Sequence, residues 1–337
     1  MFGFQVARSH FSAYDDDKAA MSETTSFDVR HVGPKDAGYR EALRLAIGAG
    51  TADTRNAVDA TVDGLILDAK HRGLSLDLLF GAFQGSRCVS AVLAVESPGH
   101  TALVFAPAIG FAPGFWDATK AALEAVKRAS WERSILLLEM LLQQEQTDLS
   151  QAVRASGFRC LTRLMYMVRP TATQIPPAVA RQRSLEWTTY ADERVALYVE
   201  AIERSYAQSL DCPELTGRRS VPDVLSGHRA AGPFDPTLWS VAAENGEPVA
   251  VLLQSLHQRG DTVEIVYMGV AQTVRGTGVA DAVMIRALEA ARRVCATSLA
   301  LAVDHRNTPA RRLYQRWGFT CFSSRDAWIV TPPVTEG

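Results

Sequence analysis

The sequence predicts an α/β (α+β) fold built from two similar domains, each with a mixed, mostly antiparallel sheet flanked by helices. Three observations lead to this prediction: the length of the chain, the same order of strand and helix patterns in its two halves, and a glycine-containing loop between a strand and a helix in the second half. At 337 residues the chain exceeds the usual size of a single domain. Hydrophobic residues make up 47% of it, which is enough for two cores.

Helix and strand patterns alternate along the first half. Apolar residues recur at helical spacing within 36–72, which predicts two helices. Further elements are predicted from apolar and β-branched runs: strands at 76–83, 88–95, 101–105, 135–141 and 161–168, and helices at 115–129 and 148–156. A segment rich in Pro, Thr and Ala at 170–178 then indicates a linker.

The second half repeats this order. A helix is predicted at 192–206, followed by a polar, Pro- and Gly-rich segment at 211–236. The remaining elements are strands at 238–243, 248–256, 262–270 and 298–303, a helix at 280–294, a helix after Asn307, and a final strand. Each half also contains a helix that ends in Gly-Phe, at Gly157-Phe158 and Gly318-Phe319, and these pairs are 161 positions apart (318 minus 157).

These patterns predict the domain organisation. We expect residues 1–21 to be a leader without ordered structure, because they lack the apolar stretch of a signal peptide, and Met21 is a possible native start. The first domain is expected at 22–170, a linker at 171–183, and the second domain at 184–337.

Charge and cysteine content limit the possible partners. With 35 basic and 37 acidic residues and no block of like charge, neither nucleic acid nor an anionic membrane is expected as the main partner. No apolar run reaches the roughly 18 residues that span a bilayer. The cysteines form no CxxC pair, so we expect reduced thiols, a cytoplasmic location and no bound metal. The five cysteines are Cys88, Cys160, Cys212, Cys295 and Cys321.

The loop at 270–280 is the most informative segment of the chain. It lies between a predicted strand and an amphipathic helix, and its two glycines permit tight turns and leave no side chain in the way. Main-chain N–H groups at a helix N-terminus can converge on an anion, so the loop predicts a phosphate-binding cradle. A Walker loop would need Gly-Lys-Ser/Thr, and a dinucleotide fingerprint would need Gly where Asp281 stands, so both alternatives fit poorly.

Two motifs in this half resemble those of the GNAT N-acetyltransferase superfamily. Arg275-x-x-Gly278-x-Ala280 resembles the acyl-coenzyme A signature (Arg/Gln)-x-x-Gly-x-(Gly/Ala). The second motif, in which Asn and Ala are followed by Leu-Tyr and then Gly-Phe, is similar to Asn307, Ala310, Leu313-Tyr314 and Gly318-Phe319. The resemblance extends from about Ser184 to the C-terminus. It implies a GNAT fold and acetyl-CoA as the cosubstrate.

The resemblance also implies which residues bind acetyl-CoA. The cradle is expected to bind the pyrophosphate, the main-chain edge of the preceding strand to pair with the pantetheine amides, and a strand irregularity near Gly269 to splay the sheet at this point. The implied cofactor-binding residues are Met268, Val270, Arg275, Gly276, Thr277, Gly278, Val279, Ala280, Asn307 and Ala310. The side chain of Arg275 either adds charge towards the phosphates or is a solvated loop arginine. Asn307 contacts the cofactor, caps its helix, or does both.

Two residues are implied as catalytic. Tyr314 occupies the position where many relatives place a hydroxyl near the sulfur as general acid; the alternative is a half-buried helix tyrosine. Glu264 matches the spacing of a glutamate that some relatives use as a general base through water; the alternative is an exposed strand glutamate. Alternation along the strand predicts that Glu264, Met268 and Val270 share a face and that Tyr267 lies on the other. His257 and His305 are alternative bases.

The acceptor site is less clear from sequence. Four charged residues fall in the connection where GNAT enzymes place their specificity helix and loop: Asp211, Glu214, Arg218 and Arg219. The two acids could attract a cationic amine and the two arginines could hold a carboxylate, or all four could be solvated surface residues.

The first domain is expected to have lost its cradle. Its corresponding loop, 106–115, contains Pro107 and Pro113, which remove two N–H donors, and no Arg-x-x-Gly-x-Gly/Ala register fits. We expect this domain to be a scaffold.

The sequence thus predicts an acetyl-CoA-dependent N-acetyltransferase that transfers an acetyl group to the amine of a small molecule or a protein. Relatives with one degenerate half acetylate a thiol-containing pseudo-disaccharide, which gives weight to a small metabolite. The alternatives are a non-catalytic acyl-CoA-binding or sensor protein, and a structural dimerisation protein. The acceptor, the acyl length and the oligomeric state stay open.

Overall fold

The described residues form two units. The computed structural model describes residues 27–48, 55–108, 110, 114–175, 185–257 and 260–333. The expected leader lies outside these ranges, as do residues 176–183 of the expected linker and positions 109 and 111–113 of the first-domain loop. One unit contains the described residues up to Cys160 and those from Trp328 onwards, and the other contains 161–327.

The first unit has one sheet and helices that pack on it. Its elements are β1 (Asp28–His31), α1 (Tyr39–Gly48), α2 (Arg55–Arg72), β2 (Leu78–Gln84), β3 (Arg87–Ser97), β4 (Thr101–Phe105), α3 (Phe115–Glu132), β5 (Leu137–Leu142) and α4 (Thr147–Ala155). β1 to β4 pair in chain order and antiparallel, and β4 pairs with β5 in parallel. One face of α3 is fully buried against the sheet, through Ala118, Ala122 and Val126 at helical spacing.

From its second strand onwards, the second unit has the same order of strands and helices as the first. Its elements are β6 (Arg159–Pro170), β7 (Glu186–Thr189), α5 (Val195–Tyr206), α6 (Val221–Arg229), β8 (Ser240–Glu244), β9 (Glu247–Leu256), β10 (Thr262–Val270), α7 (Val279–Arg293), β11 (Ser298–Asp304), α8 (Thr308–Arg316) and β12 (Thr320–Val330). The strand order is β7-β8-β9-β10-β11-β6, and β12 follows β6. β10 and β11 pair in parallel, whereas β7 to β10 pair antiparallel in chain order and β6 pairs antiparallel with β11.

The fold class predicted from the sequence is confirmed, and most elements lie at their expected positions. The strand expected at 161–168 pairs with β11 in the second unit rather than with a strand near it in sequence. Sequence patterns missed β1, β7 and α6. The two strands have only four residues each, too few for a clear alternation. α6 lies within the Pro- and Gly-rich segment, where Ser220 caps it by accepting a hydrogen bond from the N–H of Asp223.

The two Gly-Phe motifs have the same local structure in both units. Gly157 and Gly318 are left-handed, with φ of 82° and 81°, and each ends a helix. The N–H of each following phenylalanine donates to a carbonyl five residues earlier, and both rings are buried. This shared C-terminal cap supports the predicted repeat.

The same offset of 161 positions shows how the first unit differs. The position that corresponds to Tyr314 is occupied by the buried aliphatic Val153, which has no hydroxyl. The position that corresponds to Asn307 is Gln146, which precedes α4 without a side-chain cap hydrogen bond. At these two positions the first unit therefore lacks the hydroxyl and the helix-capping hydrogen bond of the second motif. No helix within the described ranges is both long and apolar enough to cross a membrane.

Candidate active site

The parallel strands β10 and β11 separate halfway along their length. Their pairing runs from Thr262 opposite Ser298 to Ile265 opposite Leu301. Beyond that point β10 continues to Val270 paired with β9, while β11 continues paired with β6. The carboxyl-terminal ends of the two strands therefore border an opening, which we call the splay.

A β-bulge at Val266 changes which side chains share a face of β10. The register with β9 shifts between Ile265 and Tyr267, so Val266 is an extra residue in this strand. Glu264 lies opposite Ser255 of β9, and the β9 residue opposite Tyr267 is two positions from Ser255. Residues two positions apart in a strand share a face of the sheet, so Glu264 and Tyr267 also share a face. The prediction that they lie on opposite faces is wrong, because simple alternation does not hold across a bulge.

The face that carries Glu264 and Tyr267 is covered by α5 and α6. Tyr267 packs in the core cluster that contains Tyr198 and Ile202 of α5 and Leu225 of α6. Met268 and Val270 lie on the other face and pack with the core under α7. The expected irregularity near Gly269 is instead three residues earlier, at Val266.

Gly269 has a different structural role. A Cβ at this position would lie 2.4 Å from Oγ and 2.6 Å from Cβ of Ser205 on α5. The hydroxyl of Ser205 is 2.7 Å from that of Tyr267. Glycine is therefore required where α5 crosses the end of β10.

The main-chain edge of β10 at Met268 and Val270 faces the splay. The N–H of Ala271 donates to the carbonyl of Val249 on β9, at 2.8 Å. Because successive residues of a strand point their polar groups in opposite directions, those of Met268 and Val270 point away from β9. This is the geometry expected of an edge that accepts a further extended segment.

The cradle follows this edge directly. Gly276 and Gly278 have φ of 76° and 94°, the left-handed region that glycine adopts without strain. A Cβ at either position would meet no described atom within 4 Å, so the space in front of both residues is open. Gly278 precedes α7 without a side-chain cap, and the first-turn N–H groups of Val279 and Ala280 have no acceptor four residues earlier in the helix. The hydroxyl of Thr277 donates to the carbonyl of Val274 at 2.7 Å and tightens the turn.

The side chain of Arg275 holds the cradle to the neighbouring helix. Its guanidinium donates to the carbonyls of Val270, Gln208 and Ser205 at 3.1, 3.0 and 2.8 Å. Two of these carbonyls belong to the C-terminal end of α5, which a cation stabilises. The exposed side chain is therefore hydrogen-bonded to three main-chain carbonyls, and its main chain continues into the cradle.

Asp281 occupies the position where a dinucleotide fingerprint would have glycine. Its carboxylate accepts hydrogen bonds from Arg316 at 2.6 Å and from the indole of Trp317 at 2.7 Å. These bonds join the first turn of α7 to the end of α8, and they direct a negative charge away from the cradle.

Tyr314 extends from α8 to the splay. It is 8% exposed, and its hydroxyl lies 4.0 Å from the sulfur of Met268. Burial and then the negative charge of Asp211 raise its pKa, so the hydroxyl keeps its proton at neutral pH. It can therefore donate a proton or hydrogen bond at this point.

Asn307 caps α8. Its side-chain oxygen accepts a hydrogen bond from the N–H of Ala310 at 3.3 Å, with Pro309 in the first turn. The same side chain hydrogen-bonds Asp211, which lies on the connection between α5 and α6. The capping interpretation of Asn307 is confirmed.

Glu264 pairs with one of the two histidines considered as alternative bases. Its carboxylate lies 3.2 Å from Nε2 of His257, and its side chain is 13% exposed. This hydrogen bond raises the pKa of His257, which burial alone would lower. His305 instead contacts Thr162 and Asp304 at the end of β11.

The charged residues of the α5–α6 connection have different environments. Glu214 forms a bidentate ion pair with Arg306, at 2.6 and 3.0 Å. Arg218 donates to the carbonyl of Glu214 at 3.4 Å and is exposed. Asp211 accepts a hydrogen bond from the N–H of Asp304 at 3.1 Å. Only Asp211 is thus directed at the end of β11.

Sequence analysis did not identify Asp304 or Arg306. Asp304 is fully buried and accepts bonds from Arg306, from Thr162 and from the N–H of Cys212. Burial would raise its pKa, but these bonds, chiefly from Arg306, hold it at about 2. The only feature of the sequence that could have identified Asp304 was its position as an acidic residue directly after a predicted buried strand. Among the described residues, no group of three or more His, Cys, Asp or Glu side chains could hold a metal ion.

Comparisons with known proteins agree with this geometry. Residues 204–319 match the model of the acetyltransferase (GNAT) family. No curated protein matches the chain.

Several solved structures share the fold. A GCN5-related N-acetyltransferase from Sphaerobacter thermophilus has a TM-score of 0.61 and 19% identity, covering 91% of this chain and 97% of that one. A GCN5-related glucosamine N-acetyltransferase region of a fungal multi-domain GH3 β-N-acetylglucosaminidase has a TM-score of 0.60 and 12% identity, covering 90% of this chain and 38% of that one. A tandem GNAT protein from the clavulanic acid biosynthesis pathway has a TM-score of 0.52 and 15% identity, covering 92% of this chain and all of that one. Residues 204–319 therefore match the acetyltransferase (GNAT) family, and the chain shares its fold with GCN5-related N-acetyltransferases, among them a tandem GNAT protein.

Proposed function

We propose that the protein transfers an acetyl group from acetyl-CoA directly to a primary amine. The observation that most strongly supports this proposal is the splay, because the edge of β10 is no longer paired with β11 beyond Ile265 and lies beside the left-handed glycines of the cradle. An edge of this kind can pair with the amides of an extended arm, and the cradle lies where the diphosphate end of that arm would be.

Three parts of the second unit are proposed to bind acetyl-CoA. The main-chain N–H groups from Arg275 to Ala280 are proposed to bind the diphosphate, with the open space in front of Gly276 and Gly278 as its site. The edge at Met268 and Val270 is proposed to bind the pantetheine amides. Asn307 and Ala310 at the start of α8 complete the proposed binding surface.

Two side chains are proposed to move protons. Bound acetyl-CoA supplies a thioester whose carbonyl carbon reacts with an amine. As the new C–N bond forms and the C–S bond breaks, Glu264 receives the proton of the amine through a water molecule, and Tyr314 donates a proton to the departing sulfur. The raised pKa of Tyr314 suits this role, since the donor is protonated when the reaction begins.

Steady-state kinetics with acetyl-CoA and a library of primary amines, followed by mass spectrometry, test the activity. Tyr314→Phe should lower kcat by roughly 100-fold without changing CoA binding, because it removes only the donated proton. Glu264→Gln should flatten the rise of the rate towards basic pH, and Glu186→Gln, at an exposed position on β7, is the matched control. An unchanged profile in Glu264→Gln would reject its role as base.

The same experiments address the other parts of the proposal. CoA binding without turnover of any amine would favour a non-catalytic acyl-CoA-binding or sensor protein. A stoichiometry of one CoA per chain is expected if the N-terminal unit is a scaffold, and a value of two would reject that role. The acceptor is proposed to be a small-molecule or protein amine in the cytoplasm, where the free thiols of all five cysteines would be stable.

A further inference from the structure

The connection between α5 and α6 is held against the junction of β11 and α8. Glu214 on this connection pairs with Arg306, 92 positions later in the chain, and the N–H of Cys212 donates to the buried carboxylate of Asp304 at 3.2 Å. The guanidinium of Arg306 also reaches Asp304, at 2.7 Å. The three charged groups form one network, which positions the start of this connection at the splay.

Asp211 is the acid that this network leaves without a cation. Arg306 forms ion pairs with both Asp304 and Glu214. Asp211 accepts neutral hydrogen bonds from the N–H of Asp304 and from the side chain of Asn307. It forms no ion pair with any residue that the structure describes, and part of the residue is exposed. A carboxylate held in this way is available to a cation from outside the protein.

Asp211 lies at the splay, because its carboxylate accepts the N–H of Asp304 at the end of β11, at 3.1 Å. In addition to burial, its negative charge raises the pKa of Tyr314 on α8 and, to a smaller extent, that of Tyr267 on β10. An ammonium group bound to Asp211 would therefore lie near the proposed proton donor.

We propose that Asp211 binds the ammonium group of the acceptor, so that the protein selects amines that arrive as cations over neutral molecules of the same shape. This inference rests on the proposed function, because it assumes that the amine reaches the splay at Tyr314. Asp211 then acts on acceptor binding. The bound ammonium releases one proton to bulk water before its nitrogen attacks, and Glu264 receives the second proton as the amide forms. The acceptor class is an aliphatic primary amine rather than an arylamine, which is uncharged at neutral pH.

The pH dependence of amine binding has a predictable sign. Burial, and the negative charge of Asp304, raise the pKa of Asp211, while hydrogen bonds and Arg306 oppose this. Tyr267 and Tyr314 are neutral at pH 7 and add no charge. Asp211 therefore takes up its proton at a higher pH than an ordinary aspartate, and amine binding is lost on the acid side at that pH.

Calorimetry with a matched pair of probes tests the proposal. Phenethylammonium and 2-phenylethanol have the same shape and differ in charge, and each is titrated into protein saturated with CoA. The wild type should bind phenethylammonium at least tenfold more tightly. Asp211→Asn keeps the shape of the side chain and the oxygen that accepts the N–H of Asp304, and it should remove the preference for phenethylammonium. The control Glu203→Gln, at an exposed position on α5, also removes one negative charge and should leave this preference unchanged.

The outcomes separate this proposal from the proposed function. Absence of the preference in the wild type, or its retention in Asp211→Asn, would overturn the role of Asp211. Failure of the wild type to bind CoA would instead contradict the proposed function. In that case the affinities of the two probes are compared by titration into the protein without CoA. CoA affinity should stay within twofold in all variants. A large loss of CoA affinity in Asp211→Asn would overturn the proposal, because it would show a structural role for the loop.

Discussion

Asp304→Asn tests whether the buried network behind the α5–α6 connection stabilises the second unit. The carboxylate is fully buried and its pKa is lowered from 3.8 to about 2, mainly by Arg306 against the opposing effect of burial. At about 1.36 kcal/mol per pKa unit, this corresponds to about 2.4 kcal/mol of stabilisation at neutral pH. Because the side chain of Arg306 is 38% exposed, solvent screening reduces this to about 1–2 kcal/mol.

The pH dependence distinguishes this mechanism from a general packing defect. Since the pKa in the folded state lies below that in the unfolded state, the stabilisation is present above about pH 4 and is lost as the pH falls towards 2. Urea unfolding followed by tryptophan fluorescence should show a difference of about 1–2 kcal/mol between wild type and Asp304→Asn at pH 7, falling to about half at pH 3. Asp192→Asn, in an exposed ion pair with Arg229, is the control and should cost less than about 0.5 kcal/mol. Equal effects of the two substitutions, or a difference that does not change with pH, would refute the reasoning.

Two further substitutions test the local geometry. Gly269→Ala should destabilise the protein by about 1–3 kcal/mol in thermal or urea unfolding, because its Cβ would overlap Ser205, whereas Gly64→Ala in the middle of α2 meets no described atom and should stabilise by about 0.5–1 kcal/mol. A neutral Gly269→Ala would show that α5 does not pack as described. Arg275→Lys should lower stability by about 1–3 kcal/mol, since one ammonium cannot replace three bonds to carbonyls, yet leave the salt dependence of CoA binding unchanged. A reduced salt dependence would instead place the guanidinium on the phosphates.

The Gly-Phe helix ends and the strand-glycine-helix order could be predicted from the sequence, because both depend on local chemistry. A helix that ends in Gly-Phe needs a left-handed glycine and a buried ring, and both units contain these at Gly157 and Gly318. Strand-glycine-helix order at Gly278 likewise follows from backbone requirements that neighbouring residues reveal.

The face of β10 on which Glu264 lies could not be predicted from the sequence, because one extra residue in the strand reverses the alternation of side chains. Val266 is a β-branched residue in a run of apolar residues, so nothing in its neighbourhood indicates a bulge. The bulge moves Glu264 to the face of Tyr267, below α5 and α6. The error concerned the side on which the proposed base lies, whereas the position of the strand was correct.

The acceptor-side network was also beyond sequence reasoning. Its contacts join Cys212 and Glu214 to Asp304 and Arg306 across about ninety positions, and none of these residues belongs to either motif. The same applies to Arg275, whose side chain bonds to carbonyls on a helix about seventy positions earlier. Long-range polar contacts leave no periodic signal in a single sequence.

The central claim is that main-chain groups at the start of α7 bind a diphosphate, and titration calorimetry of CoA into two variants at Gly278 tests it most directly. Asp and Asn both tolerate the left-handed conformation, both can cap α7, and neither would contact another described side chain through its Cβ. The account predicts that the wild type binds CoA, that Gly278→Asn weakens binding only slightly, and that Gly278→Asp weakens it more than tenfold because a carboxylate then occupies the anion site. Equal CoA affinity in Gly278→Asp and Gly278→Asn, or no binding by the wild type, would contradict it.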